Sequence, residues 1–203
     1  MVKEDLPQVS AIDREVFPTQ WPPPNYRQEL QNRLAHYIVV YDDAKTLEDN
    51  DASTKENRYH FLARLLPWLR RNHEEDESSI IFSRQYVIGF SGIWLMAGEA
   101  HITNIAVREQ YQRQGVGELL LVSTIDLSRE QRAETMTLEV RESNTIAQNL
   151  YSKYGFRQTG VRRGYYLDNR EDAIIMSTES INSEAFLAQL QQLRESLAEK
   201  LPV

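Results

Sequence analysis

The stretch "YQRQGVGELLL", residues 111–121, sets Gly115 and Gly117 immediately before an apolar, helix-like pattern. At the start of a helix the first N–H groups lack an intrahelical acceptor and the dipole adds partial positive charge, so such a place can bind phosphate. Glycines there let the backbone approach a ligand and adopt conformations closed to other residues. The same pair also suits a plain strand-to-helix turn with no ligand. It is not the P-loop pattern, since no Lys-Ser/Thr pair follows, nor the dinucleotide G-x-G-x-x-G, since Glu118, Leu119 and Leu120 follow Gly117. Nucleotide hydrolysis and Rossmann-type dinucleotide binding are therefore excluded.

A strand must lead into this loop and a helix out of it. "SRQYVIGFSGIWLM" and "EAHITNIAV" read as two strands joined at "AGE", and the helix covers roughly residues 117–131, with Leu119, Leu120, Val122 and Ile125 on its apolar face. "TMTLEV" follows as a short buried strand. "SNTIAQNLYSKY" is a helix opened by Ser143 or Asn144 and closed at Gly155, and "FRQTGVRRGYYL" and "EDAIIMSTE" are strands. Strands alternating with helices place some parallel pairing in an α/β sheet.

Upstream, "EDLPQVSAIDREVF" is a short amphipathic helix with Asp5 as N-cap and Pro7 in its first turn. "PTQWPPPNY" is a stiff loop, because its prolines cannot lie inside a helix. "YRQELQNRL" resumes a helical pattern and "AHYIVVYD" reads as a buried strand. Residues 42–79 carry ten acidic and six basic residues, with one apolar island at Phe61, Leu62, Leu65, Leu66 and Leu69 and a breaker at Pro67. This segment reads as a polar insertion with flexible flanks and a docked helix. The tail, residues 180–203, repeats Phe186, Leu190, Leu193, Leu197 and Leu201 at helical spacing and needs a partner surface, either the chain's own core or a second subunit.

The chain of 203 residues is 41% hydrophobic, enough for one sizeable core, so residues 1–179 form one domain with the tail helix appended. The absence of cysteine removes disulfides, thiolate catalysis and cysteine-bound metal. With no long apolar run and no signal-peptide pattern at the N-terminus, a cytoplasmic protein off the membrane is expected. A net charge of −7 disfavours nucleic acid and favours a basic partner, though it also serves plain solubility.

"NIAVREQYQRQGVGELLL" resembles motif A of the Gcn5-related N-acetyltransferases, whose Gln/Arg-x-x-Gly-x-Gly/Ala pattern is met by Gln112, Arg113, Gln114, Gly115, Val116 and Gly117. "LEVRESNTIAQNLYSKYGF" and "RRGYYLDNREDAIIM" are similar to the RimI type, the ribosomal-protein-alanine N-acetyltransferases. The match is dense over residues 84–178, weaker over 5–41 and absent over 42–79 and 180–203. The resemblance implies a mixed, mostly antiparallel sheet splayed at one parallel strand pair and flanked by helices. It implies acetyl-CoA as co-substrate, no metal, and a protein N-terminus as acceptor, from a ribosomal protein beginning with Ala or Ser. A small-molecule amine or a lysine side chain is the rival acceptor, and a non-catalytic acetyl-CoA sensor the rival class.

Residue by residue, the resemblance implies that the amides of Arg113 to Glu118 hold the pyrophosphate. The backbone of Ile105, Ala106 and Val107 borders the pantetheine arm, and the Val107 amide faces the thioester oxygen. Glu139 is the implied general base and Tyr151 the acid at the sulfur. Strand alternation sets Glu139 opposite Leu138 and Val140. Glu139 could instead be a strand-edge carboxylate paired with Arg141 or Arg162, and Tyr151 a core tyrosine. Asn144 touches the cofactor or caps a helix, and Arg113 is a phosphate contact or a solvated cation. Phe17, Trp21, Tyr165 and Tyr166 line the acceptor slot or simply pack.

Two departures stand out. Members of the family begin with a strand, for which Met1–Glu4 is too short, so that strand is missing, or the tail covers the edge, or the start lies upstream. The 42–79 insertion replaces a short connection, and its acidic flanks are expected to attract basic N-terminal peptides.

Overall fold

The computed structural model describes residues 1–19, 24–46 and 85–201. Trp21, the apolar island at 61–69 and Pro67 lie outside them. The elements are α1 (Leu6–Val16), α2 (Tyr26–Glu29), β1 (Ala35–Thr46), β2 (Gln85–Met96), β3 (Glu99–Val107), α3 (Val116–Glu130), β4 (Thr135–Arg141), α4 (Thr145–Lys153), β5 (Arg157–Tyr166), β6 (Glu171–Ser177) and α5 (Glu184–Lys200). They build one six-stranded sheet in the order β1-β2-β3-β4-β6-β5. All neighbours are antiparallel except β3 and β4. Among the described residues no strand precedes α1, and no helix is long and apolar enough to cross a membrane.

Two clusters fill the two faces. Val9 and Ile12 of α1 pack with Tyr26, Val39, Val87, Phe90 and Ala106 on one face. On the other, Leu119, Leu120, Val122 and Ile125 of α3 meet Ile88, Ile93, Ile102, Met136, Leu138 and Val140. The β2–β3 turn places both Ala97 and Gly98 at positive φ, as a two-residue hairpin requires.

The sequence offers α5 two partners, and the structure supplies its own core: Leu190, Leu197 and Leu201 are buried there, with Phe186 and Leu193 packed at the margin. This is why α3 is buried far beyond its four-residue stripe. The helix does not cover the sheet edge at β1, where the Met1 ammonium group instead donates to the Tyr37 carbonyl.

The polar segment does not begin at residue 42 as its composition suggests, because β1 continues to Thr46. Asp42 and Lys45 there are satisfied within the fold. Asp42 is fully buried and accepts from the Tyr111 hydroxyl at 2.7 Å, which in turn accepts from Lys45 at 2.7 Å.

The feature that positions the site is a bulge. Gly92 pairs with Asn104 and Ile93 with Ile102, leaving Thr103 as an extra residue in β3. Gly92 fits this bend because the Tyr37 ring fills the space of its absent side chain: a Cβ would lie 2.2 Å from Tyr37 Cε1 and 2.8 Å from Asn104 Oδ1. Gly92→Ala is expected to cost about 1–3 kcal/mol through overpacking, read as a lower denaturant midpoint with unchanged slope.

Candidate active site

β3 and β4 pair in parallel only from Glu99/Thr135 to Ile102/Leu138. Beyond the bulge they part, while Glu139, Val140 and Arg141 keep their antiparallel bonds to β6 on the far side. The edge of β3 facing the gap is therefore unpaired there. The Arg108 N–H donates to Ile88 of β2, so by alternation Val107 turns its backbone away from β2. Its carbonyl accepts from the Gln112 side chain at 3.0 Å, and its N–H shares that direction, into the gap. Ile105 has the same parity. Ala106 does not: it pairs with Phe90, so of the three residues expected to border the gap it spends its backbone on β2.

The glycine loop lies where the gap opens. Arg113 (φ 60°) and Gly115 (φ 87°) are both left-handed, which turns successive amides toward one concave side. Gly115 is the N-cap of α3, and the N–H groups of Val116, Gly117 and Glu118 have no acceptor within the helix. Val116 anchors its side chain in the core. The Gln114 amide ties back to the Gln110 carbonyl, so the Gln112 and Gln114 side chains shape the loop itself. The two glycines answer different demands: a Cβ on Gly115 would strike Leu201 at 2.8 Å, whereas one on Gly117 would meet only Val107 at 3.9 Å. The Glu118 carboxylate bonds Lys153 and, at 2.7 Å, the Tyr154 hydroxyl, joining the first turn of α3 to the end of α4. Asn144 caps α4, accepting from the Ala147 N–H at 3.1 Å.

Glu139 projects from β4 onto the face opposite α3, as alternation predicts, with its side chain only 9% exposed. One carboxylate oxygen lies 3.1 Å from His101 Nε2 and the other 3.0 Å from an Arg162 nitrogen. The Arg162 partner was one of the two alternatives the sequence allowed. Arg141 instead takes Asp168 and Glu171. The hydrogen bond from His101, followed by the charges of His101 and Arg162, outweighs burial and holds the Glu139 carboxyl below the ordinary range. Glu139 is thus ionised at neutral pH.

Tyr151 is half-buried beside Phe156, ring centroids 5.8 Å apart, and its hydroxyl has no hydrogen-bond partner among the described residues. Burial and the nearby Tyr166 push its pKa up to about 12, so it retains its proton at neutral pH. Tyr166 is itself pushed up to about 12, by burial against the opposing pull of Arg141, and it also feels the charge of Glu139. Tyr166 is therefore within electrostatic reach of both the carboxylate and the second phenol. Tyr165 is exposed, edge-on to Tyr166 at 5.2 Å and beneath Arg162 at 5.5 Å.

Arg141 stacks 3.9 Å from the Tyr166 ring centroid while donating to Asp168 at 2.9 Å and Glu171 at 3.1 Å. Asp168 also accepts from the Thr19 hydroxyl at 2.7 Å, which joins the loop after α1 to the β5–β6 turn. Phe17, on the same loop, packs half-buried against the α1 cluster.

Sequence reasoning missed His101 and the Thr19–Asp168 link. His101 stands on the same face as Glu139, but only the parallel register of β3 with β4 brings them together, and no local pattern encodes that register. Thr19 and Asp168 are 149 residues apart.

The sequence pattern of the Acetyltransferase (GNAT) family matches residues 44–156. The chain is 32% identical over 174 residues to a Bacillus subtilis (strain 168) protein, covering 85% of this chain and 88% of that one; that protein is assigned ribosomal protein bS18-alanine N-acetyltransferase activity provisionally. It is 37% identical over 128 residues to the ribosomal protein bS18-alanine N-acetyltransferase of Escherichia coli (strain K12), covering 59% of this chain and 86% of the relative. The crystal structure of the ribosomal-protein-S18-alanine N-acetyltransferase from E. coli superposes with a TM-score of 0.63 at 26% identity, over 91% of this chain and 94% of that one. The chain belongs to the GNAT acetyltransferase family. It is an N-acetyltransferase whose co-substrate is acetyl-CoA.

Two pH effects follow from Glu139. Its depressed carboxyl stabilises the fold above the unfolded-state value near 4.3, and that stability is lost as pH falls through the folded value, so Glu139→Gln should flatten the acid side of the stability curve. Removing His101 takes away the leading cause of the depression. His101→Ala is therefore expected to move the acid limb of the kcat/KM profile to higher pH, while an unmoved limb would detach His101 from the titrating group.

Proposed function

We propose that this chain transfers acetyl from acetyl-CoA to the N-terminal α-amine of a protein, and that the acceptor is a ribosomal protein beginning with Ala or Ser. The observation that carries the reading is the ionised Glu139, fixed by His101 and Arg162 beside the β3–β4 gap, in a chain whose relatives are ribosomal protein bS18-alanine N-acetyltransferases. The loop from Arg113 to Glu118 fits the pyrophosphate: its first-turn amides are uncommitted within the helix, and Gly117 leaves open space. The unpaired edge of Ile105 and Val107 fits an extended amide-bearing arm.

A free α-amine has a pKa of about 7.7–8.0, so part of it is already neutral near neutral pH, and the base need only take the proton that the nitrogen sheds as it becomes bonded to the acyl carbon. Glu139 accepts that proton, directly or through water, as the amine nitrogen attacks the thioester carbon. The C–N bond forms, the C–S bond breaks, and the Val107 N–H donates to the carbonyl oxygen as charge develops on it. Tyr151 donates to the departing sulfur. With its pKa raised to about 12 and a thiol's ordinary value near 8.5, full transfer from the phenol is uphill. Tyr151 therefore acts chiefly as a hydrogen-bond donor, and the thiol takes its final proton from solvent as Glu139 returns one.

In this reading Phe17 on one side and Tyr165 and Tyr166 on the other line the acceptor slot, with Arg141 stacked on the Tyr166 ring.

Mass spectrometry on peptides beginning Ala, Ser, Met and Thr, with a lysine side chain as control, is expected to find acetyl on the α-amine of the Ala and Ser peptides. Acetylation of lysine or small amines alone would refute the acceptor class. Glu139→Gln should lower kcat/KM by about 10²-fold or more and Tyr151→Phe by a smaller factor, both with acetyl-CoA still bound.

A further inference from the structure

The two glycines of the loop are not equivalent, and the difference leads to α5. Gly117 faces open space, but Gly115 is pressed by the end of α5: its hypothetical Cβ would lie 2.8 Å from Leu201 Cδ2 and 3.6 Å from Leu197 Cδ1. Both leucines are 3% exposed. Gly115 sits at the hinge between the left-handed backbone of the loop and the first turn of α3, and its carbonyl accepts from the Leu119 N–H at 2.9 Å.

The element pressing on it is held along its length. The Ser183 hydroxyl caps its start, Phe186 lies over Gly155, the Gln189 side chain donates to the Lys153 carbonyl at 3.1 Å, and Arg194 bonds Asp126 of α3. Glu118 closes the frame by joining the first turn of α3 to Lys153 and Tyr154. The loop is also fixed at its entrance, where Tyr111 bonds buried Asp42. Between those two anchors Arg113 holds a left-handed conformation that a side-chain-bearing residue adopts at a cost, so the loop shape is imposed by its supports. The family match ends at residue 156, and α5 lies wholly beyond it.

We propose that Leu197 and Leu201 are positioning residues for acetyl-CoA: α5 is a brace that fixes Gly115 and thereby aims the first-turn amides of α3. The inference rests on the reading of the Arg113–Glu118 loop as the pyrophosphate site. Neither leucine touches the ligand. Their contribution is to keep amides aligned that would otherwise relax, and a displacement of about 1 Å at such donors is costly.

The test is calorimetric titration of coenzyme A into the full chain carrying Leu201→Ala, beside Leu190→Ala as a matched control. Leu190 is equally buried on the same helix but 11 residues, about 16 Å, away. Both variants should lose comparable thermal stability. Leu201→Ala should weaken coenzyme A binding about tenfold and raise the KM for acetyl-CoA while leaving the peptide KM near wild type, and Leu201→Met should restore it. Leu190→Ala should stay within about twofold of wild type. Equal weakening by both alanine variants, or none by Leu201→Ala, overturns the brace. Gly117→Val tests the underlying site, since a side chain in that open space should obstruct the ligand. Wild-type affinity there would overturn the loop reading and the brace with it.

Discussion

Six strands in unbroken register would leave no opening between neighbours, and of the register shifts in this sheet the one in β3 is the one beside the gap. The extra residue at Thr103 shifts the parity of β3, and past Ile102 the strand no longer meets β4. β4 keeps a full ladder to β6, so only one edge of each strand is exposed to the gap. Buried backbone donors and acceptors must find partners. Gln112 takes the Val107 carbonyl, and the remaining groups are available to an extended ligand. The chemistry is arranged around this interruption: Glu139 is the first β4 residue beyond the last parallel pair, and the phosphate-type loop begins where β3 ends.

The electrostatics follow from the same geometry. A carboxylate held between a guanidinium and an imidazole is usually a structural pair, and such pairing makes it a weaker base. Here the acceptor amine loses its proton near neutrality, so the carboxylate needs to be ionised, aimed and nearby more than it needs to be strong. Both oxygens of Glu139 are aimed by partners from different strands, His101 on β3 and Arg162 on β5. Two phenols with raised pKa values, Tyr151 and Tyr166, remain neutral donors beside it.

How much of this was legible depended on range. Local periodicity located β2 through β6 and both long helices, because each is decided by residues within a few positions of one another. Alternation placed Glu139 on the correct face, and Asn144 was readable as a cap. The polar run after Tyr41 misled, since composition cannot report that Asp42 is satisfied by Tyr111 across 69 residues. His101 was invisible for the related reason that parallel register is set by the α3 crossover. The role of Gly115 was half legible: positive φ was foreseeable from the motif, but the leucines that occupy its side-chain space come from the far end of the chain.

That last point bears on how the catalytic parts stay in relation. The glycine loop, α4 with Tyr151, and β4 with Glu139 belong to three separate segments, and the gap that gives them room also removes the sheet bonds that would hold two of them. Other contacts replace those bonds. Glu118 ties α3 to α4, Arg141 and Glu171 tie β4 to the β5–β6 turn and to the Ser143 amide before α4, and Thr19 with Asp168 joins the acceptor loop to the same turn. Most of these are charge-assisted hydrogen bonds, which are directional. Apolar packing behind them, including α5 on α3, supplies stability without direction. An open sheet can keep a preorganised site because the two kinds of contact divide the work: burial holds the layers together, and the polar bridges set their angles.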